Sequence, residues 1–308
     1  MIRARGLTKR YRRYPVLDGI DLTVGRRERL AILGLNGAGK TTLIRCLMGL
    51  TDFAGVIEID GYDVRRDGRR ARGRLGYVPQ RAPQFEGKLA DVMSFFCRLR
   101  DVEPDEAHRR MSQLGLSVEE HGDKAVRALS GGMLQKSLLA LALAADVPLL
   151  LLDEPTANLD PRARREFLRG LREVGDDQTI VLATHRLSDV EAVANRLLVL
   201  HEGRIVFDGP TQELWDRVGS NVVLWVRVAT GQRESAREVL ARRWDTTPLR
   251  ANGKYLGLEL ERGRRADALL ALREAALAVE DFWTEAPTLH ELLEQLLASK
   301  TSPAMERT

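Results

Sequence analysis

The sequence predicts an α/β protein with a mainly parallel sheet over its first two thirds, followed by a smaller α+β unit. Three observations carry that expectation. Short apolar runs alternate with helical patterns from residue 29 to about residue 210. The run PLLLLDEP (148–155) stays apolar until its acids, as a strand covered on both faces of a parallel sheet must. After about Val218 the pattern restarts with a new alternation of strands and helices.

RLAILG (29–34) reads as a short strand that enters a glycine-rich turn and then a helix from Lys40 to Leu50. VIEIDG (56–61) alternates apolar and polar residues, as a half-buried antiparallel strand does. LGYVPQ (75–80) is another strand. From Lys88 to about Leu116 the spacing is helical, with Leu89, Val92, Met93 and Phe96 three or four apart where the run is clearest. Phe85, Leu89, Met93 and Phe96 suit either the core or a groove for a partner helix. A further helix follows Ser130. Helix 162–174 leads to strand TIVLATH (179–185), and one more helix and the strands LLVLHEG and RIVFDG close this part. The arginine-rich stretch 65–74 reads as solvated loop.

These elements divide the chain into domains 1–217 and 218–308. In the second, the expected order is strand 221–228, helix 233–243, strands 247–251 and 255–261, helix 265–277, strand 278–285 and helix 288–298. The first six have the split β-α-β-β-α-β order of a ferredoxin-like unit. Thr288 ahead of Glu291, with Pro287 just outside, fits a capping box. Trp225, Trp244 and Trp283 read as core or edge aromatics rather than a binding face. The tail after Ser299 reads as a frayed end.

The bulk properties narrow the function classes. A length of 308 residues suits one large domain and one small one. The net charge is only +4, which gives no ground for nucleic-acid binding and is compatible with work near an anionic membrane surface. Cys46 and Cys97 are the only cysteines and have no paired spacing, as for buried thiols in a reducing compartment. The N-terminus has no apolar core of a secretory signal. The most apolar segment, 138–152, is interrupted by Asp146 and Pro148 and falls short of the ~18–20 residues that span a bilayer. If transport is the function, another polypeptide supplies the path.

GLNGAGKT (34–41) matches G-x-x-x-x-G-K-[ST] between an apolar strand and a helix, the context its chemistry needs. Its backbone N–H groups can curl around phosphate oxygens, and the positive end of the next helix adds attraction. Lys40 can reach the β- and γ-phosphates, and the Thr41 hydroxyl can ligate Mg²⁺. LLLLDE (149–154) ends a buried strand in two acids. Asp153 would hold Mg²⁺ and Glu154 could polarise the attacking water. Ser130, Gly131 and Gly132 of LSGGM precede a helix and make a second anion site.

With LSGGM added to the other two motifs, residues 1–215 resemble the nucleotide-binding domains of the ABC superfamily. The resemblance implies a P-loop NTPase domain in which a mixed sheet carries an antiparallel β subdomain and a helical subdomain. It implies ATP and Mg²⁺ as cofactors. Gly34, Asn36, Gly37, Ala38, Gly39, Lys40, Thr41 and Thr42 would hold the phosphates. Ser130 to Gly132 would face the nucleotide of the other protomer, so that a homodimer, or a dimer with a related ATPase subunit, sandwiches two ATP molecules. Tyr11 lies where the family stacks an aromatic ring on adenine, and Tyr14 is its rival. Gln80 matches the glutamine that contacts Mg²⁺ or water and senses the transport partner. Asp160 of NLD matches the loop that communicates across the dimer, and His185 the switch histidine at the γ-phosphate. Leu35 in place of a frequent proline, LQK after the signature and a short turn at 51–55 are departures, and none removes a reacting group.

The segment EDFWTEAPTLHELLEQLL (280–297) resembles the small extension of exporter-type subunits, including drug exporters and subunits of nitrous oxide reductase copper-site maturation. No Cys/His/Met cluster favours metal handling. The resulting expectation is an ATPase on the cytoplasmic face of the membrane, peripheral, energising export through a separate membrane-spanning subunit, with no nucleic-acid partner. One alternative is an accessory ATPase for metalloenzyme maturation, as at the nitrous oxide reductase copper site, and two further readings stand beside it. One is a soluble ABC ATPase of ribosomes or DNA, which this single ATPase domain without a long coiled coil or paired zinc cysteines disfavours. The other is a signalling subunit that barely turns over, which an intact Glu154 and His185 disfavour.

Overall fold

The computed structural model describes residues 1–83, 85–173, 177–218, 221–244, 249–285 and 288–301. The chain divides into two units, Met1–Thr211 and Gln212–Thr308. In the first, chain order is β1 (Ile2–Tyr11), β2 (Tyr14–Val24), β3 (Arg29–Leu33), α1 (Lys40–Leu47), β4 (Ala54–Ile59), β5 (Tyr62–Asp63), α2 (Gly68–Gly73), β6 (Leu75–Val78), α3 (Leu89–Arg100), α4 (Pro104–Gln113), α5 (Val118–His121), α6 (Gly131–Ala144), β7 (Leu149–Asp153), α7 (Pro161–Arg172), β8 (Thr179–Thr184), α8 (Leu187–Val193), β9 (Arg196–His201) and β10 (Arg204–Pro210).

An antiparallel sheet in the order β2-β1-β4-β5 faces a six-stranded sheet in the order β10-β9-β3-β8-β7-β6. In the larger sheet only the β9–β10 pair is antiparallel. The sequence reading missed β1 and β2, although Ile2 and Ala4, and then Ile20, Leu22 and Val24, alternate with exposed residues and are buried. Strand β7 is buried at every position because its two faces enter two cores. Leu149 and Leu151 pack with β1, β2 and α1. Leu150 and Leu152 pack with α3, α4, α6 and α7.

Two sequence expectations need correction here. The helical pattern 88–116 is broken into α3 and α4, because Asp101 takes φ 54° and Pro104, which cannot sit inside a helix, starts the next one. The stretch 65–74 is not loop throughout. It contains α2, which Ala71 anchors in the core at 1% exposure while its arginines stay outside.

The second unit opens with α9 (Thr211–Val218), which spans the division. Then come β11 (Asn221–Val228), α10 (Arg233–Arg243), β12 (Arg250–Asn252), β13 (Tyr255–Glu261), α11 (Arg265–Glu274), β14 (Val279–Glu285) and α12 (Leu289–Thr301). Its sheet runs β12-β13-β11-β14, with every pair antiparallel. One face buries Leu224, Val226, Leu258 and Leu240 with Trp244. Trp225 is buried, donates from Nε1 to Glu285 Oε2 at 2.7 Å and stacks at 5.9 Å on Trp283, which lies half-exposed on edge strand β14. At α12 the Thr288 N–H donates to Glu291 Oε2 at 2.8 Å and the Glu291 N–H to Thr288 Oγ1 at 3.3 Å, a closed capping box. Pro287, residues 247–248 of the expected strand, Val174 of the expected helix and the tail from residue 302 lie outside the described residues.

Helices α6 and α7 are joined by Lys136, 7% exposed, whose ammonium meets Glu166, with Arg162 Nε 3.0 Å from the other carboxylate oxygen. Lys136 first, then Arg162, holds the Glu166 carboxyl down at about 2, against an ordinary 4.5. A depressed carboxyl stabilises the fold fully above its unfolded pKa, and loses that contribution as pH falls toward the folded value. Glu166→Gln is therefore expected to cost about 1–2 kcal/mol at pH 7, given its partial exposure. The deficit against wild type, followed by denaturant unfolding, should shrink as pH drops from 4.5 toward 2.

Candidate functional site

Four adjacent parallel strands, β3-β8-β7-β6, end on one edge of the large sheet, where open α/β sheets place their ligands. The phosphate loop follows β3, His185 follows β8, Asp153 and Glu154 end β7, and Gln80 follows β6.

The phosphate loop requires glycine at two positions in particular. A Cβ on Gly34 would lie 2.5 Å from the Leu200 carbonyl oxygen. Gly39 caps α1 with φ 107°, and a Cβ there would meet the Val16 carbonyl oxygen at 2.8 Å. The loop is also pinned by the Gly203 N–H, which donates to Ala38 O at 3.2 Å. Asn36 and Gly37 form the exposed rim. The first turn of α1 contains no acid, so its N–H groups and partial positive charge remain suited to an anion. Thr41 and Thr42 lie half-buried in that turn.

The Lys40 ammonium, 5% exposed, donates to Gly34 O at 2.7 Å and Leu35 O at 3.1 Å. It also lies 2.9 Å from Glu154 Oε1. The other oxygen of Glu154 meets His185 Nδ1. Glu154 itself takes φ 45°, a conformation that non-glycine residues hold only where the surroundings enforce it. Thr41 Oγ1 donates to Asp153 Oδ1 at 3.0 Å. Burial pushes the Asp153 carboxyl up, against the pull of that hydrogen bond.

Ser130, Gly131, Gly132 and Asp160 form a second group. Ser130 caps α6, accepting from the Met133 N–H at 3.2 Å. A Cβ on Gly132 would lie 2.9 Å from Ala163 Cβ, so glycine lets α6 and α7 approach closely. Asp160 caps α7, accepting from the N–H groups of Ala163 at 3.0 Å and Arg162 at 2.9 Å, and these bonds hold its carboxyl below the usual range. Among the described residues no hydrogen bond joins this group to the first. Gln80 is exposed, and beside it buried Gln135 donates to Pro79 O at 2.7 Å. Tyr11 and Tyr14 are cross-strand partners at the end of the β1–β2 hairpin. Tyr14 is 77% exposed, whereas Tyr11 is 44% exposed and has the Lys9 ammonium 4.7 Å from its ring centroid.

Helix α3 divides the residues left open between core and groove. Leu89 and Met93 face inward. Phe85, Val92, Phe95, Phe96 and Leu99 line an apolar groove of about 390 Å³. The sequence reading also missed Asp189, fully buried on α8, which accepts from Thr156 Oγ1 at 2.6 Å, Thr184 Oγ1 at 3.2 Å and Arg164 Nε at 2.8 Å. An acid four residues beyond His185 was the only signal.

The ABC transporter family pattern matches residues 17–157. The Daunorubicin resistance ATP-binding protein DrrA3 of Streptomyces coeruleorubidus is 35% identical over 298 residues, covering 93% of this chain and 92% of that one. The Nod factor export ATP-binding protein I of Ralstonia nicotianae is 36% identical over 231 residues, covering 72% and 71%. A solved ATP-binding subunit of an ABC transporter superposes with a TM-score of 0.64 at 28% identity, covering 71% of this chain and 93% of that one.

Gly39→Ala is expected to abolish binding of a fluorescent ATP analogue and to lower the melting temperature, since the added Cβ meets a backbone oxygen that cannot swing away. Retained binding would show that the loop has room the geometry denies.

Proposed function

The chain belongs to the ABC transporter family as an ATP-binding subunit that hydrolyses ATP to energise transport, and we propose that it is the motor of an exporter whose membrane path is a separate polypeptide. The observation that carries this reading is the meeting of Lys40, Glu154 and His185 beside Thr41 and Asp153, on the carboxyl ends of β3, β8 and β7.

The chemistry follows from that cluster. Phosphate oxygens entering the loop would be held by its N–H groups and by Lys40, which would exchange Glu154 for the phosphates. The released Glu154 carboxylate could then accept a hydrogen bond from the attacking water, and His185 could donate to the γ-phosphate. Thr41 and Asp153 fit Mg²⁺, being hard oxygen donors side by side at the mouth of the loop. Bound there, Mg²⁺ supplies neutralisation of the charge on the β- and γ-phosphates. Gln80 would complete the edge of the site, and Tyr11 would stack on the base. That no hydrogen bond among the described residues joins the Ser130–Asp160 group to the phosphate loop supports a head-to-tail dimer, in which each chain completes its partner's site.

The groove along α3 supports docking of a helix from the membrane subunit. Among the described residues no helix is long and apolar enough to cross a membrane, which fits a peripheral subunit at the cytoplasmic face. The names of the two relatives support export, and they favour neither a metalloenzyme-maturation role nor a soluble ribosome or DNA ATPase. The β-α-β-β-α-β order of residues 221–285 supports a ferredoxin-like accessory domain.

Glu154→Gln should retain ATP binding and lose about 100-fold or more in hydrolysis, the scale of a lost general base. Purified with ATP from detergent-solubilised cells, this variant should bring down a multi-span membrane protein. Recovery of ribosomes or DNA-bound partners alone would overturn the transporter reading. Phe95→Asp together with Leu99→Asp, both at exposed positions, should abolish the membrane partner's recovery and leave the melting temperature nearly unchanged.

A further inference from the structure

One buried carboxylate ties together the two segments that carry Glu154 and His185. Asp189 is 0% exposed. Its Oδ2 accepts from Thr156 Oγ1 at 2.6 Å and from Thr184 Oγ1 at 3.2 Å. Its Oδ1 accepts from Arg164 Nε at 2.8 Å, and the second arm of the same guanidinium reaches it too. Thr156 lies two residues after Glu154, and Thr184 immediately precedes His185. Thr184 Oγ1 in turn accepts the Arg186 N–H at 3.1 Å, so His185 sits inside a turn closed by the same hydroxyl. Arg164 belongs to α7, the helix that Asp160 caps.

A carboxylate this deep is costly unless every lone pair is engaged, and one guanidinium with two hydroxyls meets that demand. A methyl-bearing or amide side chain could fill the space as well. What the charge adds is a fixed direction for both hydroxyls at once. The turn after Glu154, the turn around His185 and helix α7 are therefore held to one point.

We propose that Asp189 is a positioning residue for ATP hydrolysis: through Thr156 and Thr184 it sets Glu154 and His185 in register, and through Arg164 it ties that register to the loop ending at Asp160. This rests on the reading of Glu154 and His185 as the hydrolytic pair. Glu154 cannot turn toward water and His185 toward the γ-phosphate unless their turns are fixed against each other. The β7–β8 pairing and the Glu154 N–H bond to Ala183 O at 2.9 Å fix the strand ends. Among the described residues the turns beyond them are linked side chain to side chain only at the Glu154–His185 contact and through Asp189.

The test compares Asp189→Asn, Thr184→Val and Thr184→Ser in the full-length chain, with Glu154→Gln as control. Turnover, binding of a non-hydrolysable ATP analogue and melting temperature are measured for each. Asp189→Asn and Thr184→Val are expected to lose about 10- to 100-fold in kcat, the scale of a misplaced catalytic group, with analogue binding held within about threefold. Thr184→Ser, which keeps the hydroxyl, should hydrolyse like wild type. Wild-type kcat in Thr184→Val would overturn the proposal. So would a parallel fall of kcat, analogue binding and melting temperature in both Asp189→Asn and Thr184→Val, which would make the cluster structural. Full turnover in Glu154→Gln would instead overturn the underlying assignment of the hydrolytic pair.

Discussion

The passage of the chain from β3 into α1 is the constraint on which the rest of the first unit depends. It must expose a run of N–H groups, reverse direction without side chains in the way, and deliver Lys40 into a buried position. Only glycine at positions 34 and 39 permits this, because Leu200 O and Val16 O approach where a Cβ would be. The strand order then settles what faces the turn. β8 lies between β3 and β7, so His185 and Glu154 end beside Lys40 although 31 residues separate them from one another along the chain. A different order of the same strands would scatter the same residues.

Much of this was legible in the sequence, because the phosphate loop, the Asp-Glu strand end and the serine-glycine turn each require a local pattern. Residues 34–41 had to be loop and helix start, since nothing else lets backbone amides converge. The strands and helices of residues 221–285 were likewise placed by periodicity alone. What escaped had a weak local signature or none. In β1 the period of two is interrupted by register shifts after Ala4, Leu7 and Lys9, and in β2 it runs unbroken only from Ile20 to Val24, too short a stretch to stand out. The break between α3 and α4 did carry a signal, Pro104, but apolar spacing that continues on both sides of the left-handed Asp101 outweighed it. Asp189 is the clearest case. Its partners come from three separate segments, Thr156, Arg164 and Thr184, and only the packed structure brings them to one carboxylate.

The two cores of the first unit divide the labour in a way that β7 makes visible. Alternate leucines of one strand stabilise the antiparallel sheet on one side and the helices on the other. Asp153 and Glu154 sit at the end of this doubly covered strand. Burial there raises the cost of charge on Asp153, and the Thr41 hydroxyl opposes it only in part. Rigid support and an electrostatically tense end belong to the same arrangement.

Helix α3 presents one stripe, Leu89 and Met93, to the interior and another, Val92, Phe95, Phe96 and Leu99, to the groove. The fold is sensitive to the first stripe and to Phe96, which also packs against the core, and hardly to Phe95 and Leu99. Changes at Phe95 or Leu99 meet little internal resistance, so under the docking proposed above this helix could drift toward a new companion while the nucleotide chemistry stays intact. An ATPase built this way is an interchangeable engine, in which the address label and the combustion chamber can evolve on separate schedules.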